Sequence, residues 1–276
     1  MIEIEKLKFG YKKNNILMND LNLNLQAGYI HGLLGKNGAG KTTLLKQIVG
    51  LAFPNEGSCK VMGYEPRHRS PEFLQKIFIV PEEFEMLPVK ISKYVNLHAP
   101  FYPDFSEELF NKCLEEFEMT SDEKIHNLSF GQKKKVMLSF GIATCTDILL
   151  LDEPTNSLDI PSKRTFRKII ASAFREDRLI MISTHQVRDL DSLIDSVIVL
   201  HEGKIIFNQK INDVSSKLDF SKCDEETEKI LYSEDLMGGR FGILKNTENH
   251  DSKVDLELLF NGVVSNHNEI NNYLNN

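Results

Sequence analysis

Eight residues, Gly35-Lys36-Asn37-Gly38-Ala39-Gly40-Lys41-Thr42, constrain this chain more than any other stretch. They match G-x-x-x-x-G-K-[ST] and lie between an apolar run at 29–34 and a helical pattern that begins at 42. Glycine is required there because the backbone must curl until successive N–H groups point at phosphate oxygens, and side chains would obstruct that approach. Lys41 offers a cation to the β and γ phosphates, the Thr42 hydroxyl can ligate Mg²⁺, and the helix start adds its positive dipole end. A strand must enter this loop and a helix must leave it. The chain is therefore expected to fold as an α/β domain around a nucleotide phosphate site.

The run Ile148-Leu149-Leu150-Leu151-Asp152-Glu153 supplies the other half of such a site. Four apolar residues predict a buried strand, and the acids at its carboxyl end emerge beside the phosphate loop. Asp152 is then the acid on the Mg²⁺ side, acting directly or through water, and Glu153 is placed to polarise a water that attacks the γ phosphate.

The remaining pattern alternates strands and helices. Ile2, Ile4, Leu7 and Phe9, and then Leu21, Leu23 and Leu25, read as half-buried strands and predict an antiparallel β region at the start. Strands are expected at 29–34, 77–80, 148–152 and 179–183, with a helix over 42–50 closed by Gly50. From about 90 to 145 the pattern is helical: 92–99, then 104–117 with Asp104 and Glu107 at capping-box spacing, then 131–144. Residues 196–200 and 204–208, joined by His201-Glu202-Gly203, predict a β-hairpin. Beyond about 215 the chain is more polar, yet Val254, Leu256, Leu258, Leu259 and Phe260 imply that this tail packs against something.

With 276 residues, 41% hydrophobic and 26% charged, the chain can bury a substantial core and does not read as disordered. Its net charge of −7 argues against a broad nucleic-acid footprint, which needs clustered Lys and Arg. The tract Lys133-Lys134-Lys135 reads as a solvated helix face rather than such a patch. Cys59, Cys113, Cys145 and Cys223 are scattered, without a C-x-x-C pair or zinc spacing, and are expected as small core residues in reducing surroundings. Residues 1–6 lack the pattern of a signal peptide, and no apolar run approaches the roughly 20 residues needed to cross a bilayer. Work on a membrane is thus expected to rely on another chain for the spanning part.

Leu128-Ser129-Phe130-Gly131-Gln132 stands 20 residues before Asp152 (152 − 132 = 20) and opens a helical pattern. A hydroxyl, a bare backbone N–H and a helix start all stabilise anions, so the segment suits a phosphate held by a partner chain. Residues 35–43, 128–132, 148–154 and 156–159, together with His185, occur in an order and at spacings that resemble the ATP-binding subunits of ABC transporters. The resemblance covers about residues 1–210. It implies a P-loop ABC ATPase with a mixed RecA-like core sheet, an N-terminal antiparallel β region and a helical subdomain at about 82–145. Residues 1–215 would form the nucleotide-binding domain, and 216–276 a small appendage.

Carried over residue by residue, the resemblance implies a head-to-tail dimer with two sandwiched ATP molecules. Each ATP would lie between Gly35, Lys36, Asn37, Gly38, Ala39, Gly40, Lys41, Thr42 and Thr43 of one protomer and Ser129, Gly131 and Gln132 of the other. Asp159 would belong to the loop that crosses to the opposite protomer. His185 would sense the γ phosphate and orient the water near Glu153, which makes these two residues the catalytic pair. Thr42 and Asp152 would hold Mg²⁺. Tyr11, 24 residues before the loop (35 − 11 = 24), looks like the family's adenine-stacking aromatic, with Phe9 as its rival.

Two departures from the family pattern stand out. Phe130 replaces the first glycine of the signature, and its ring either alters dimer closure or turns into a neighbouring surface. Pro81-Glu82-Glu83 comes after the 77–80 strand where the family commonly has a Mg²⁺-ligating Gln. Glu82 can supply a metal oxygen, with Glu83 as the alternative. Acids at this point resemble the bacterial exporters of the ABC-2 type.

The expected function is ATP binding and hydrolysis that powers export through a separate multi-span membrane permease, with a second ABC subunit, identical or different, completing the dimer. Such a protein works in the cytoplasm, on the inner face of the cell membrane, and no nucleic-acid partner is expected. Two other readings share the sandwich. One is a soluble ABC-type ATPase acting on DNA, although such proteins usually separate the two nucleotide motifs by a long coiled coil, and Lys41 and Asp152 are 111 residues apart here (152 − 41 = 111). The other is a nucleotide-controlled regulator with little turnover, for which Phe130 supplies a motive.

Overall fold

A computed structural model describes residues 1–12, 15–224, 230–246 and 251–275. The chain opens with β1 (Ile2–Phe9) and β2 (Met18–Leu25), whose apolar residues turn inward from both strands. β3 (Tyr29–Leu34) feeds the glycine-rich loop, and α1 (Lys41–Ile48) leaves it. β4 (Glu56–Val61) pairs antiparallel with the free edge of β1 and completes a three-stranded sheet in the order β2-β1-β4. The short α2 (Pro71–Leu74) precedes β5 (Ile77–Val80), after which the chain turns helical with α3 (Ile91–His98), α4 (Glu107–Glu116) and α5 (Phe130–Ala143).

α4 begins at Glu107, not at 104, and Asp104 is not its cap. The Ser106 hydroxyl accepts from the Leu109 N–H at 3.1 Å, and Glu107 and Glu108 occupy the first turn beside the positive dipole end. Tertiary contacts decide between the two candidate caps. The Ser106 N–H donates to the carbonyl of Ala143 at the end of α5, and the Phe105 ring packs 5.1 Å from that of Phe140. Residues 102–106 are thereby committed to a turn against α5, so helix can begin only afterwards.

The alternation of strands and helices then resumes with β6 (Ile148–Asp152), α6 (Ile160–Ser172), β7 (Leu179–Thr184), β8 (Ser196–His201) and β9 (Lys204–Lys210). These strands join β3 and β5 in a six-stranded mixed sheet, ordered β5-β6-β7-β3-β8-β9. The first five run parallel, and β9 returns antiparallel through a two-residue turn in which Glu202 (φ 47°) and Gly203 (φ 73°) both lie in the left-handed region. β6 and β7 are buried along their whole length because both faces of the sheet are covered. Leu149, Leu151, Ile180 and Ile182 enter the core beneath the helical region; Ile148, Leu150, Leu179 and Met181 enter the core shared with β1, β2 and α1.

Past the hairpin come α7 (Ile211–Lys217), then β10 (Leu218–Lys222), β11 (Ile230–Leu236) and β12 (Gly239–Lys245) in the order β10-β12-β11, and finally α8 (Leu256–Asn275). Val254, Leu256, Leu258 and Leu259 are buried in the same core as Val187 and Leu190, and Phe260 packs against it half-buried. Arg188 Nε donates to Glu257 Oε2 at 2.6 Å on the same seam. Among the described residues, no helix is long and apolar enough to cross a membrane.

Candidate functional site

β5, β6, β7 and β3 are parallel neighbours, so their carboxyl ends lie side by side. The register aligns Val80 with Leu151, Asp152 with Ser183, and Thr184 with Leu34. The residues just beyond the four strand ends therefore meet in one place: Pro81 and Glu82, then Glu153, then His185, then Gly35. Open parallel sheets bind ligands at this end.

The loop at 35–42 turns through Gly38 (φ 81°) and Gly40 (φ 107°), backbone conformations that a side chain would strain. Gly40 caps α1 without any side-chain bond, which leaves the helix's first N–H groups aimed outward. Lys36, Asn37 and Gly38 are exposed, whereas Lys41 is buried, its Nζ donating to the carbonyl of Gly35 at 2.8 Å and lying 3.3 Å from Glu153 Oε1. Thr42 is half-buried and Thr43 buried beside it. The Tyr11 hydroxyl lies 3.0 Å from Thr43 Oγ1, and its ring meets Phe9 edge-on at 4.9 Å. Tyr11 is 65% exposed and Phe9 only 7%, so of the two rivals Tyr11 alone has a face to offer a purine.

Asp152 ends β6 with one oxygen, Oδ1, accepting from the Ser183 hydroxyl. Its other oxygen, Oδ2, is buried with no partner among the described residues. Glu153 then adopts φ 43°, a left-handed conformation that a non-glycine residue takes at a cost. Its N–H is held by the Ser183 carbonyl at 3.1 Å, and the kink directs its side chain to Lys41 and to His185, whose Nδ1 lies 2.9 Å from Oε1.

Mg²⁺ fits this set. Asp152 Oδ2 is an oxygen in need of a partner, the Thr42 hydroxyl stands at the end of the loop, and Glu82 is half-buried, with Oε1 accepting from Asn156 Nδ2 at 2.9 Å. Glu83 is exposed, and of the two acids Glu82 is the one that Asn156 holds. No group of three or more His, Cys, Asp or Glu side chains among the described residues makes a cage by itself. Mg²⁺ tolerates so few carboxylates when phosphates and water complete its octahedron.

In the helical region, Ser129 caps α5. Its hydroxyl oxygen accepts from the Gln132 N–H at 3.2 Å while Gln132 Oε1 accepts from the Ser129 N–H at 2.9 Å, a reciprocal capping box. That arrangement uses the hydroxyl as acceptor and leaves its proton free to donate. A Cβ on Gly131 would stand 2.6 Å from the carbonyl oxygen of Ser157, so a close backbone approach requires glycine there. Phe130 is 41% exposed and turns its ring onto Phe84, 5.4 Å away. Asp159 is the N-cap of α6, and hydrogen bonds from Ser162 hold its carboxyl below the usual value.

The profile of the ABC transporter family matches residues 18–156. The chain belongs to the ABC transporter family. Among ABC relatives it is 33% identical over 213 residues to the lantibiotic transport ATP-binding protein SrtF of Streptococcus pyogenes, a match covering 76% of this chain and 91% of that one. It is 32% identical over 210 residues to the Nod factor export ATP-binding protein I of Burkholderia lata, covering 74% and 67% of the two chains. Against NatA of Bacillus subtilis, an ABC transporter ATP-binding protein, the identity is 31% over 208 residues, covering 72% and 85%. A solved ATP-binding subunit of an ABC transporter superposes with a TM-score of 0.70 at 24% identity, over 78% of this chain and 91% of that one. A dimeric post-hydrolysis ATP-binding cassette bound to ADP and Pi superposes at 0.66 with 23% identity, over 76% and 98%. These likenesses establish the ABC cassette fold, and the family makes this chain an ATP-binding subunit with ATPase activity.

In this ABC subunit one lysine departs from the sequence expectation. The three lysines do not form a solvated face: Lys133 and Lys135 are half-buried, and Lys134 is 0% exposed. Its Nζ donates to the carbonyls of Pro81 at 2.9 Å and Glu82 at 3.1 Å, and lies 3.5 Å from that of Asp152. Burial brings its pKa down to about 8, against the opposing pull of Asp152, Glu82 and Glu153. Helical spacing does not single it out, because residues 136–143 of α5 are buried all round; what selects 134 is the set of carbonyls it reaches in the tertiary fold.

Proposed function

We propose that this ABC subunit powers export through a separate membrane-spanning partner, by closing two protomers around two ATP molecules and reopening them on hydrolysis. The observation that carries the reading is the convergence of Lys41, Asp152, Glu153 and His185 at the carboxyl ends of three neighbouring parallel strands.

ATP lies with its phosphates along residues 35–43 and its adenine on the free face of Tyr11. Lys41 neutralises the β and γ phosphates. Thr42, Asp152 and Glu82 would hold Mg²⁺, which supplies further positive charge to the phosphate oxygens. Glu153, oriented by His185, takes a proton from the water whose oxygen attacks the γ phosphorus, and the bond to the bridging oxygen breaks so that its electrons leave with ADP. Ser129, Gly131 and Gln132 of the second protomer grip the same γ phosphate, and Asp159 lies at the crossing loop. Hydrolysis thus removes the group that joins the two protomers.

The names of the SrtF and Nod factor relatives, which refer to lantibiotic transport and Nod factor export, support an exporter. The lack of a membrane-crossing helix among the described residues supports a separate permease. A cavity of about 530 Å³ lined by Leu51, Leu74, Phe78, Phe101 and Tyr102 offers that permease an apolar seat between β5 and the helical region. The protein then works in the cytoplasm at the inner membrane face, paired with a second ABC subunit, with residues 1–215 as nucleotide-binding domain and 216–276 as an appendage on it.

Ser129→Arg tests the reading, because its bulk would obstruct the partner's phosphate while leaving the protomer's own loop intact. Purified parent protein is expected to release phosphate from ATP with Mg²⁺, and the variant to bind ATP without releasing it. Undiminished release by the variant would overturn the sandwich.

A further inference from the structure

The segment after β5 is tied to α5 at two points. Lys134 Nζ bonds the carbonyls of Pro81 and Glu82, and Phe130, where the family has glycine, packs its ring on Phe84. Lys134 Nζ also stands 5.5 Å from the centroid of that same Phe84 ring, so the lysine and the two rings form one continuous contact. Through Asp152 the lysine reaches the end of β6 as well.

Burying an ammonium is costly, and a side chain present only to fill space would be Met or Leu. What the charge accomplishes here is to bind three carbonyls from two separate segments, the loop after β5 and the end of β6, both of which carry acids of the site. α5 is a single helix from its capped start, and Ser129 lies only about 7.5 Å along the axis from Lys134 at 1.5 Å per residue. A displacement of the helix start is therefore delivered to residues 81–84 and to the end of β6.

We propose that Lys134, with Phe130 and Phe84, is a positioning strut that makes the signature helix and residues 81–84 move as one body, so that gripping the partner's ATP sets the acids of the protomer's own site. This deepens the sandwich reading and rests on it. Lys134 touches no nucleotide; it couples the two ATP sites by holding Glu82 and Asp152 in register with Ser129 and Gly131.

The test uses the full chain with Lys134→Met, Lys134→Gln and Lys134→Arg, measuring turnover against ATP concentration, ATP binding by single protomers and thermal midpoint. Met and Gln are expected to lower kcat by about tenfold or more and to bring the Hill coefficient from above one towards one, with protomer ATP affinity held within about twofold. Arg, which keeps the charge, is expected to restore most of the turnover. A folded Met or Gln variant with the parent's kcat and Hill coefficient overturns the proposal. So does a loss of kcat matched by an equal loss of ATP binding, the mark of a merely structural lysine. Phe84→Ala loosens the same strut at a half-buried position and serves where the lysine variants do not fold: a lowered Hill coefficient supports the strut, and an unchanged one overturns it. If the parent turns over ATP and Ser129→Arg does not, the sandwich stands whatever these variants do.

Discussion

His185 Nδ1 lies 2.9 Å from Glu153 Oε1, so one buried carboxylate joins the ends of two neighbouring strands. The Glu153 side chain is only 4% exposed, and the same Oε1 lies 3.3 Å from Lys41 Nζ. Its left-handed backbone is what makes both contacts available, since an extended residue at the same place would continue β6 past them. Glu153, proposed as the base, and the loop lysine Lys41 are thereby preorganised in a water-poor corner, where their charges act more strongly than in solvent, while His185 stands at its 31% exposed rim.

Asp152→Asn removes the charge beside the one buried carboxylate oxygen that lacks a partner among the described residues, while its amide can still bond Ser183. The Mg²⁺ concentration for half-maximal turnover is expected to rise by about tenfold or more, the scale on which metal sites respond to altered ligands. ATP binding without Mg²⁺, measured by fluorescent-nucleotide titration, is expected to stay near the parent value.

Gly131→Ala drives a methyl to 2.6 Å from the Ser157 carbonyl oxygen, where backbone faces backbone and neither yields cheaply. A loss of about 1–3 kcal/mol is expected from such overpacking. Urea unfolding checks it; a stability equal to the parent's would mean that the start of α5 and the Ser157 backbone part freely.

Ser106→Ala removes the cap of α4 and is expected to cost about 1 kcal/mol. Asp104→Ala is expected to change stability by less than about 0.5 kcal/mol, as surface substitutions away from caps usually do. Denaturant midpoints of the pair distinguish the two caps, and the reverse ranking would contradict the start of α4.

Burial pushes the Cys59 thiol up to about 12 and that of Cys113 up to about 11, where burial outweighs the neighbouring Lys112. Only the thiolate reacts, so both are expected to resist disulfide reagents at pH 8 in the folded protein and to react on unfolding. The linkage has a definite sign. An unfolded thiol titrates near about 8.5, so each group contributes stability that is whole below that pH and is lost as pH rises towards its folded value. Thiol counting with and without denaturant checks this, and prompt labelling of native Cys59 would contradict its packing.

The glycine-rich loop, the buried strands β6 and β7 and the hairpin turn at Glu202 and Gly203 are legible in sequence because each rests on local chemistry: a backbone curl, an unbroken apolar run, a left-handed turn. β4 is not, since only Cys59 and Val61 turn inward and β1 supplies the rest of its reason to be a strand. The choice between Ser106 and Asp104 depends on Phe105 meeting Phe140 across the chain. Within the site, Glu82 and Glu83 look alike until Asn156 is seen holding the former. Charge alone sends Lys134 to solvent, and the helical period does not separate it from Lys133 and Lys135, because residues 136–143 are buried all round; the carbonyls of Pro81 and Glu82, distant in sequence, draw it inward.

Size-exclusion chromatography of Glu153→Gln with ATP and Mg²⁺, alongside phosphate release, tests the sandwich most directly. The substitution keeps the shape of the side chain that meets His185 while removing its ability to take a proton. Release is expected to fall by about 10² or more, the scale of a lost general base, while ATP, unlike ADP, holds the variant as a dimer. A variant that releases phosphate at the parent rate, or that remains monomeric with ATP and Mg²⁺, would contradict the assignment of Glu153 and the closed dimer it serves.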